Sequence, residues 1–165
     1  MERTPGPRRE LPSLGPRGEG WVAVQVGLFV VVVAAGVAGP RWPLGASRPL
    51  AFSGAVVALA GLAELLAGGV ALGRSLTALP RPREDATFRA GLVYRFVRHP
   101  IYGGVLLLAA GWSLGWAPLG LAATALLAAF FELKSRREEA WLLERYPEYA
   151  AFRARVRWKF VPGLR

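Results

Sequence analysis

Cysteine is missing from this chain, histidine occurs once, at position 99, and acidic residues number 11 against 21 lysines and arginines. The first absence removes disulfides, thiolate nucleophiles and zinc–thiolate sites together, and it leaves the redox compartment unread. With a single imidazole, a metal cage would have to be built from carboxylates, and the acids are not clustered for one, so no metal is expected. No nucleic-acid reading motif interleaves with the basic residues, so the net charge of +10 and pI near 11.3 do not point to a nucleic-acid partner.

What is present is apolar. Hydrophobic residues make up 53% of 165 positions and mean hydropathy is +0.33, more than one soluble domain of this size needs, so the surplus is expected to face lipid. The arginines avoid the apolar runs and gather at the N-terminus, between Arg74 and Arg98, and from Lys134 to Arg165. That clustering is the positive-inside pattern of a multi-pass membrane protein.

Residues 1–20 mix proline, glycine, arginine and glutamate and read as a flexible cytoplasmic tail ahead of a single membrane domain over 21–165. The pair Arg8-Arg9 and a cleavage-like Val37-Ala38-Gly39 faintly suggest a targeting signal, but a retained first span is the preferred reading. Residues 21–39 are uncharged and long enough to cross about 30 Å of hydrocarbon, and Gly39-Pro40 ends them. A turn-rich connection, RWPLGASRP, follows, with Trp42 where an interfacial aromatic belongs.

Residues 50–72 form the second predicted span, interrupted only by Glu64. A carboxylate at that depth costs roughly 2.5–3.5 kcal/mol on insertion scales, so Glu64 is expected to face protein or a water-filled site. It is a candidate functional acid, with a structural role as the even alternative. Gly69 with Gly73, and Gly111 with Gly115, are spaced for close helix packing. From Arg74 to Pro100 the chain is a polar, basic loop whose length suggests function. Residues 101–133 are apolar but too long for one span, and Gly115, Trp116, Ala117 and Pro118 interrupt them, which predicts a helical hairpin. Beyond it, Lys134 with Glu138 and Glu132 with Arg136 stand at pairing distance along a charged helix. Tyr149, Phe152, Val156 and Phe160 then predict an amphipathic segment lying among headgroups. The expected architecture is all-α: a polytopic membrane protein of about four transmembrane helices, including a C-terminal hairpin, plus a cytoplasmic interfacial helix. Both termini are then cytoplasmic, and only Arg41 and Arg48 are left outside.

Two polar clusters bracket the hairpin and should surface at the same cytoplasmic boundary: Tyr94, Arg95, Arg98, His99, Pro100, Tyr102 and Gly103 before it, and Lys134 to Glu139 after it. Pro100 suits a first helical turn, which puts His99 near an N-cap beside backbone N–H groups that favour an anion. Arg95 and Arg98 can hold a carboxylate, while Glu138 and Glu139 can take an ammonium, a ribose hydroxyl or an adenine amine.

The string RHPIYGG, followed by Glu138, Glu139 and Leu142 and then by Tyr146, Pro147, Glu148, Tyr149, Phe152, Val156 and Pro162, resembles the isoprenylcysteine carboxyl methyltransferase and phospholipid methyltransferase superfamily. The upstream LGRSLTALPRP resembles the loop before the histidine motif of those proteins. The likeness spans residues 72–162, and the first two spans match only in hydrophobicity. It departs at Gly91-Leu92-Val93-Tyr94-Arg95, one residue longer than the usual Gly-x-Tyr-Arg, and at Phe152, where a tyrosine is common.

The resemblance implies an integral membrane enzyme that binds S-adenosylmethionine at the cytoplasmic interface and methylates a lipophilic small molecule or lipid. By motif position it implies Tyr94, His99, Pro100, Tyr102, Gly103 and Glu138 or Glu139 as cofactor-binding residues. A carboxylate acceptor needs orientation, by Arg98 or Arg153, and no base. An amine acceptor must lose a proton, which gives Glu64, Glu138 or Glu139 a catalytic role. Isoprenylcysteine-type carboxyl O-methylation is the first expectation; phospholipid amine N-methylation, or a non-catalytic binding or assembly protein of the same fold, are the alternatives. A soluble Rossmann enzyme is excluded by the missing strand–helix alternation, and a transporter is disfavoured because no inverted repeat is visible. The oligomeric state is not legible in the sequence.

Overall fold

A computed structural model describes residues 11–81, 87–88 and 90–163. Among them the regular structure is entirely helical: α1 Glu19–Ala38, α2 Leu44–Leu72, α3 Pro100–Trp116, α4 Pro118–Arg145 and α5 Tyr149–Arg155. Helices α1, α2 and α4 are long and apolar enough to cross a membrane, whereas α3, at 17 residues, is shorter. At 1.5 Å per residue, α3 reaches about 25 Å. The apolar surface is turned outward, consistent with a helical membrane protein: Val26, Val30 and Val33 on α1, and Phe52, Leu59, Leu66 and Val70 on α2, are all exposed.

The hairpin is made by one residue. Ala117 is extended (φ −157°, ψ 142°) and fully buried, its N–H donating to the Ser113 carbonyl at 3.0 Å. Pro118 disfavours a helical conformation at Ala117 and then starts α4, because a first-turn residue needs no N–H partner. Helix α2 begins earlier than the proline-rich sequence suggests: it starts at Leu44 and carries Pro49 within it, at a loss of one intrahelical hydrogen bond. The predicted turn-rich connection thus shrinks to residues 39–43.

Helix α2 runs antiparallel along α3 through glycines, but not the pairs predicted. A Cβ at Gly61 would lie 2.7 Å from the Gly104 carbonyl oxygen, and one at Gly54 2.5 Å from that of Gly111. Gly68 meets Pro100 and Ile101 in the same row. Gly54, Gly61 and Gly68 are seven residues apart, the repeat that keeps one face of a helix against its partner. Gly69, Gly73 and Gly115 have nothing within 4 Å of a Cβ.

Helix α1 packs on α4 and α3 around Trp21, Val32, Ala109, Leu127, Phe130 and Phe131. The stretch expected to be a free tail is in part folded back onto this unit: the Trp21 indole N–H donates to the Pro12 carbonyl at 3.2 Å, and Arg81 donates to that of Pro16 at 3.1 Å. Residues 1–10 lie outside the described residues.

Candidate functional site

The predicted N-cap is in place: His99 (φ −130°, ψ 64°) precedes Pro100 at the start of α3. Two backbone N–H groups just ahead of the helix are already engaged, however. That of Arg98 donates to the Trp158 carbonyl at 3.0 Å and that of His99 to the Lys159 carbonyl at 2.8 Å. Freed from capping, the imidazole turns to α4, where Nε2 lies 3.1 Å from Glu139 Oε1 and Nδ1 lies 3.8 Å from Glu138 Oε2. One turn along α3, the Tyr102 hydroxyl donates to Glu138 Oε2 at 2.7 Å. Its ring stacks on His99 at 5.4 Å and on Phe131 at 4.6 Å, so the imidazole is held in plane as well as at its edges.

Glu138 and Glu139 differ in place. Glu138 borders a cavity, while Glu139 is 3% exposed and lies behind the imidazole. Glu139 is approached by Arg98 Nε at 2.9 Å, His99 Nε2 at 3.1 Å and Arg153 Nε at 3.3 Å. That arrangement compensates a buried charge and makes Glu139 a positioning group for His99 and Arg98. Arg98 reaches the cavity wall, but it also donates from Nη1 to the Val156 and Arg157 carbonyls at 2.7 and 3.0 Å.

The cavity has about 820 Å³ of atom-free space, part of it open to solvent. Its polar wall is Arg98, His99, Tyr102 and Glu138; its aromatic wall is Phe88, Tyr94, Tyr146, Tyr149 and Phe152; Leu72, Ile101 and Leu142 complete it on the helix side. Four of the predicted site residues do not line it: Glu139, Pro100, Gly103 and Glu64. Pro100 is buried at the helix start, and Gly103 sits against the C-terminal segment, where a Cβ would collide with the Phe160 carbonyl. Gly103 is therefore required by packing and not by ligand approach. Glu64 is likewise off the cavity: its Oε1 is buried beside Gly103 and has no hydrogen-bond partner among the described residues.

The C-terminal aromatics correct another expectation. Tyr149, Phe152 and Val156 are 2–3% exposed and form a protein core with Tyr94, where an amphipathic segment among headgroups was predicted. Phe88 packs edge-on against Tyr149 and Phe152 at 5.8 and 5.3 Å, and this core becomes the cavity's aromatic wall. In it the Tyr149 hydroxyl is buried without a partner among the described residues. Burial, then the Glu139 and Glu138 charges, push the Tyr149 phenol well above its ordinary range; burial, then Glu138, do the same to Tyr94. Both remain neutral hydroxyls.

Ser75 and Thr77, within the LGRSLTALPRP string, and Thr87 and Phe88, for which loop length was the only signal, also stand on the cavity wall. Lys134, predicted to pair with Glu138, instead donates to Gln25 of α1 and to the Ala78 carbonyl, with Nζ 5.3 Å from the Tyr102 ring centre. Arg136 does pair with Glu132, at 2.8 Å. The described residues hold no group of three or more acidic or histidine side chains suited to a metal. No protein-family model matches the chain, and no curated protein matches it.

Proposed function

We propose that this chain is an integral membrane methyltransferase that uses S-adenosylmethionine and acts on a lipophilic acceptor at the cytoplasmic interface, with α1 to α4 crossing the bilayer and both termini in the cytoplasm. The observation that carries the reading is the convergence of His99, Tyr102 and Glu138, from motifs on two helices, on one wall of a cavity whose other wall holds the Tyr149 hydroxyl, without a partner among the described residues. Composition suits a cofactor site, since such sites are mostly apolar with a few convergent polar groups. The donor set fits as well. Glu138 can hold an ammonium or a ribose hydroxyl, Tyr149 can donate to an acceptor atom, and the aromatic faces suit a flat purine or a sulfonium cation.

When bound, S-adenosylmethionine supplies a methyl group already activated by its sulfonium. The chain's own residues then have to bind, align and exclude water. Stacking and the Glu139 contact hold the imidazole, the aromatic core closes the side away from α3, and Leu72, Ile101 and Leu142 give an apolar flank for an acceptor. Arg98 can orient an acceptor carboxylate, which favours isoprenylcysteine-type O-methylation. Glu138 is the one acid on the cavity wall among the described residues and would serve as base for an amine, the second reading.

The test is titration of the purified protein with S-adenosylhomocysteine, then transfer of labelled methyl into a total lipid and prenyl-thiol extract with identification of the product. Binding is expected, with affinity reduced about fivefold to tenfold in Tyr149→Phe at unchanged thermal stability, as for loss of one hydrogen bond. No heat from wild-type protein with intact controls would replace this reading by a non-catalytic binding or assembly role. A labelled amine would replace the carboxylate.

A further inference from the structure

Beyond α5 the chain does not leave the protein. Residues 156–160 form an extended strap along the start of α3: Val97 bridges to Trp158, and the Trp158 and Lys159 carbonyls accept the Arg98 and His99 N–H groups. The strap also reaches the depth at which the apolar helices begin. Phe160 lies against Gly103, a turn inside α3, and Lys159 Nζ bonds Glu132 Oε2 at 2.8 Å, just where the apolar run of α4 ends.

The outer face of this strap and of the turn it pairs with is both apolar and basic. Trp158 is 39% exposed and Phe96 47%, with the Arg95 guanidinium 4.7 Å from the Phe96 ring centre. Leu92, in a left-handed conformation (φ 51°) that leucine rarely adopts, is 63% exposed. Arg95, Arg155 and Arg157 are exposed in the same two segments, which the Val97–Trp158 bridge joins, and residues 90–98 and 150–160 contain no acid. Aromatic and long apolar side chains interleaved with arginines at the end of membrane helices match the chemistry of the acyl–headgroup boundary.

We propose that this face, Leu92, Phe96 and Trp158 with Arg95, Arg155 and Arg157, docks on the anionic headgroups of the bilayer that holds the chain. The apolar side chains sit at the acyl boundary and the arginines engage phosphates. Because strap carbonyls hold the Arg98 and His99 backbone, the same contact fixes the segment that carries the imidazole. The docking surface does not depend on the methyltransferase reading.

The experiment uses full-length protein in phosphatidylcholine nanodiscs containing a minor fraction of either brominated phosphatidylglycerol or brominated phosphatidylcholine, and takes Trp158 fluorescence as the difference between wild type and Trp158→Phe. Trp158 should be quenched more strongly by the brominated anionic lipid, and the Arg155→Gln, Arg157→Gln double variant should lose that preference while keeping quenching. Independently of any variant, native mass spectrometry of wild-type protein in mixed lipid micelles should show phosphatidylglycerol retained over phosphatidylcholine, by about fivefold or more for one engaged arginine. Absence of Trp158 quenching, as for a strap facing a soluble polyanion such as RNA, overturns the proposal. So does equal quenching or equal retention of the two lipids.

Discussion

Adjacent glutamates that look interchangeable in the chain have different duties in the fold. Glu139 is 3% exposed against Arg98, His99 and Arg153, whereas Glu138 borders the cavity and accepts one tyrosine hydroxyl. Glu139→Gln is therefore expected to destabilise the protein by about 3 kcal/mol, because it leaves the Arg98 charge short of its buried partner. Glu138→Gln should cost little stability yet weaken S-adenosylhomocysteine binding about tenfold, the loss of a charged hydrogen bond. Chemical unfolding and calorimetric titration of both variants check the split, and equal effects in either assay would remove it. Both glutamates and His99 were legible as motif residues. Which carboxyl borders the cavity was not, since neighbours on a helix point about 100° apart and the sequence does not say how α4 is rotated against α3.

Helix boundaries were legible wherever hydropathy meets a breaker. Gly39-Pro40 and Ala117-Pro118 end and start helices as local sterics require. Pro49 misled, because a helix embedded in tertiary contacts can forgo one hydrogen bond. The glycine rows were also misassigned: several glycine spacings in α2 suit close packing, and contact with α3 selected Gly54, Gly61 and Gly68. Gly61→Ala places a methyl 2.7 Å from the Gly104 carbonyl and 2.8 Å from the Leu108 nitrogen, so backbone must move. It is expected to cost about 1–3 kcal/mol. Gly69→Ala, with nothing within 4 Å, should be neutral or stabilising. Thermal unfolding in detergent of the two variants compares them directly.

Across the bilayer, the absence of cysteine makes any introduced one unique. Under the proposed topology, Gly45→Cys, at the start of α2 with open space around it, should react with an impermeant maleimide on intact cells. Ala150→Cys, exposed on α5, should react only after permeabilisation. Labelling of both from outside would overturn the four-span arrangement. Charge distribution carries this prediction, and under that topology the 17-residue α3 would need local thinning or snorkelling side chains to absorb its shortness.

The chain's composition, its apolar runs and its breakers are local properties. They were sufficient to read a helical protein with apolar helices long enough to cross a membrane and a histidine motif at a helix start. Long-range packing settled what local chemistry leaves open: that Tyr149, Phe152 and Val156 bury in a protein core and not among headgroups, that residues 156–160 return to clasp His99, and that Glu139 stands behind the imidazole while Glu138 faces the cavity. Each of these depends on the relative rotation and depth of helices far apart in sequence. That arrangement is chosen by the summed contacts of many side chains and written in no single segment.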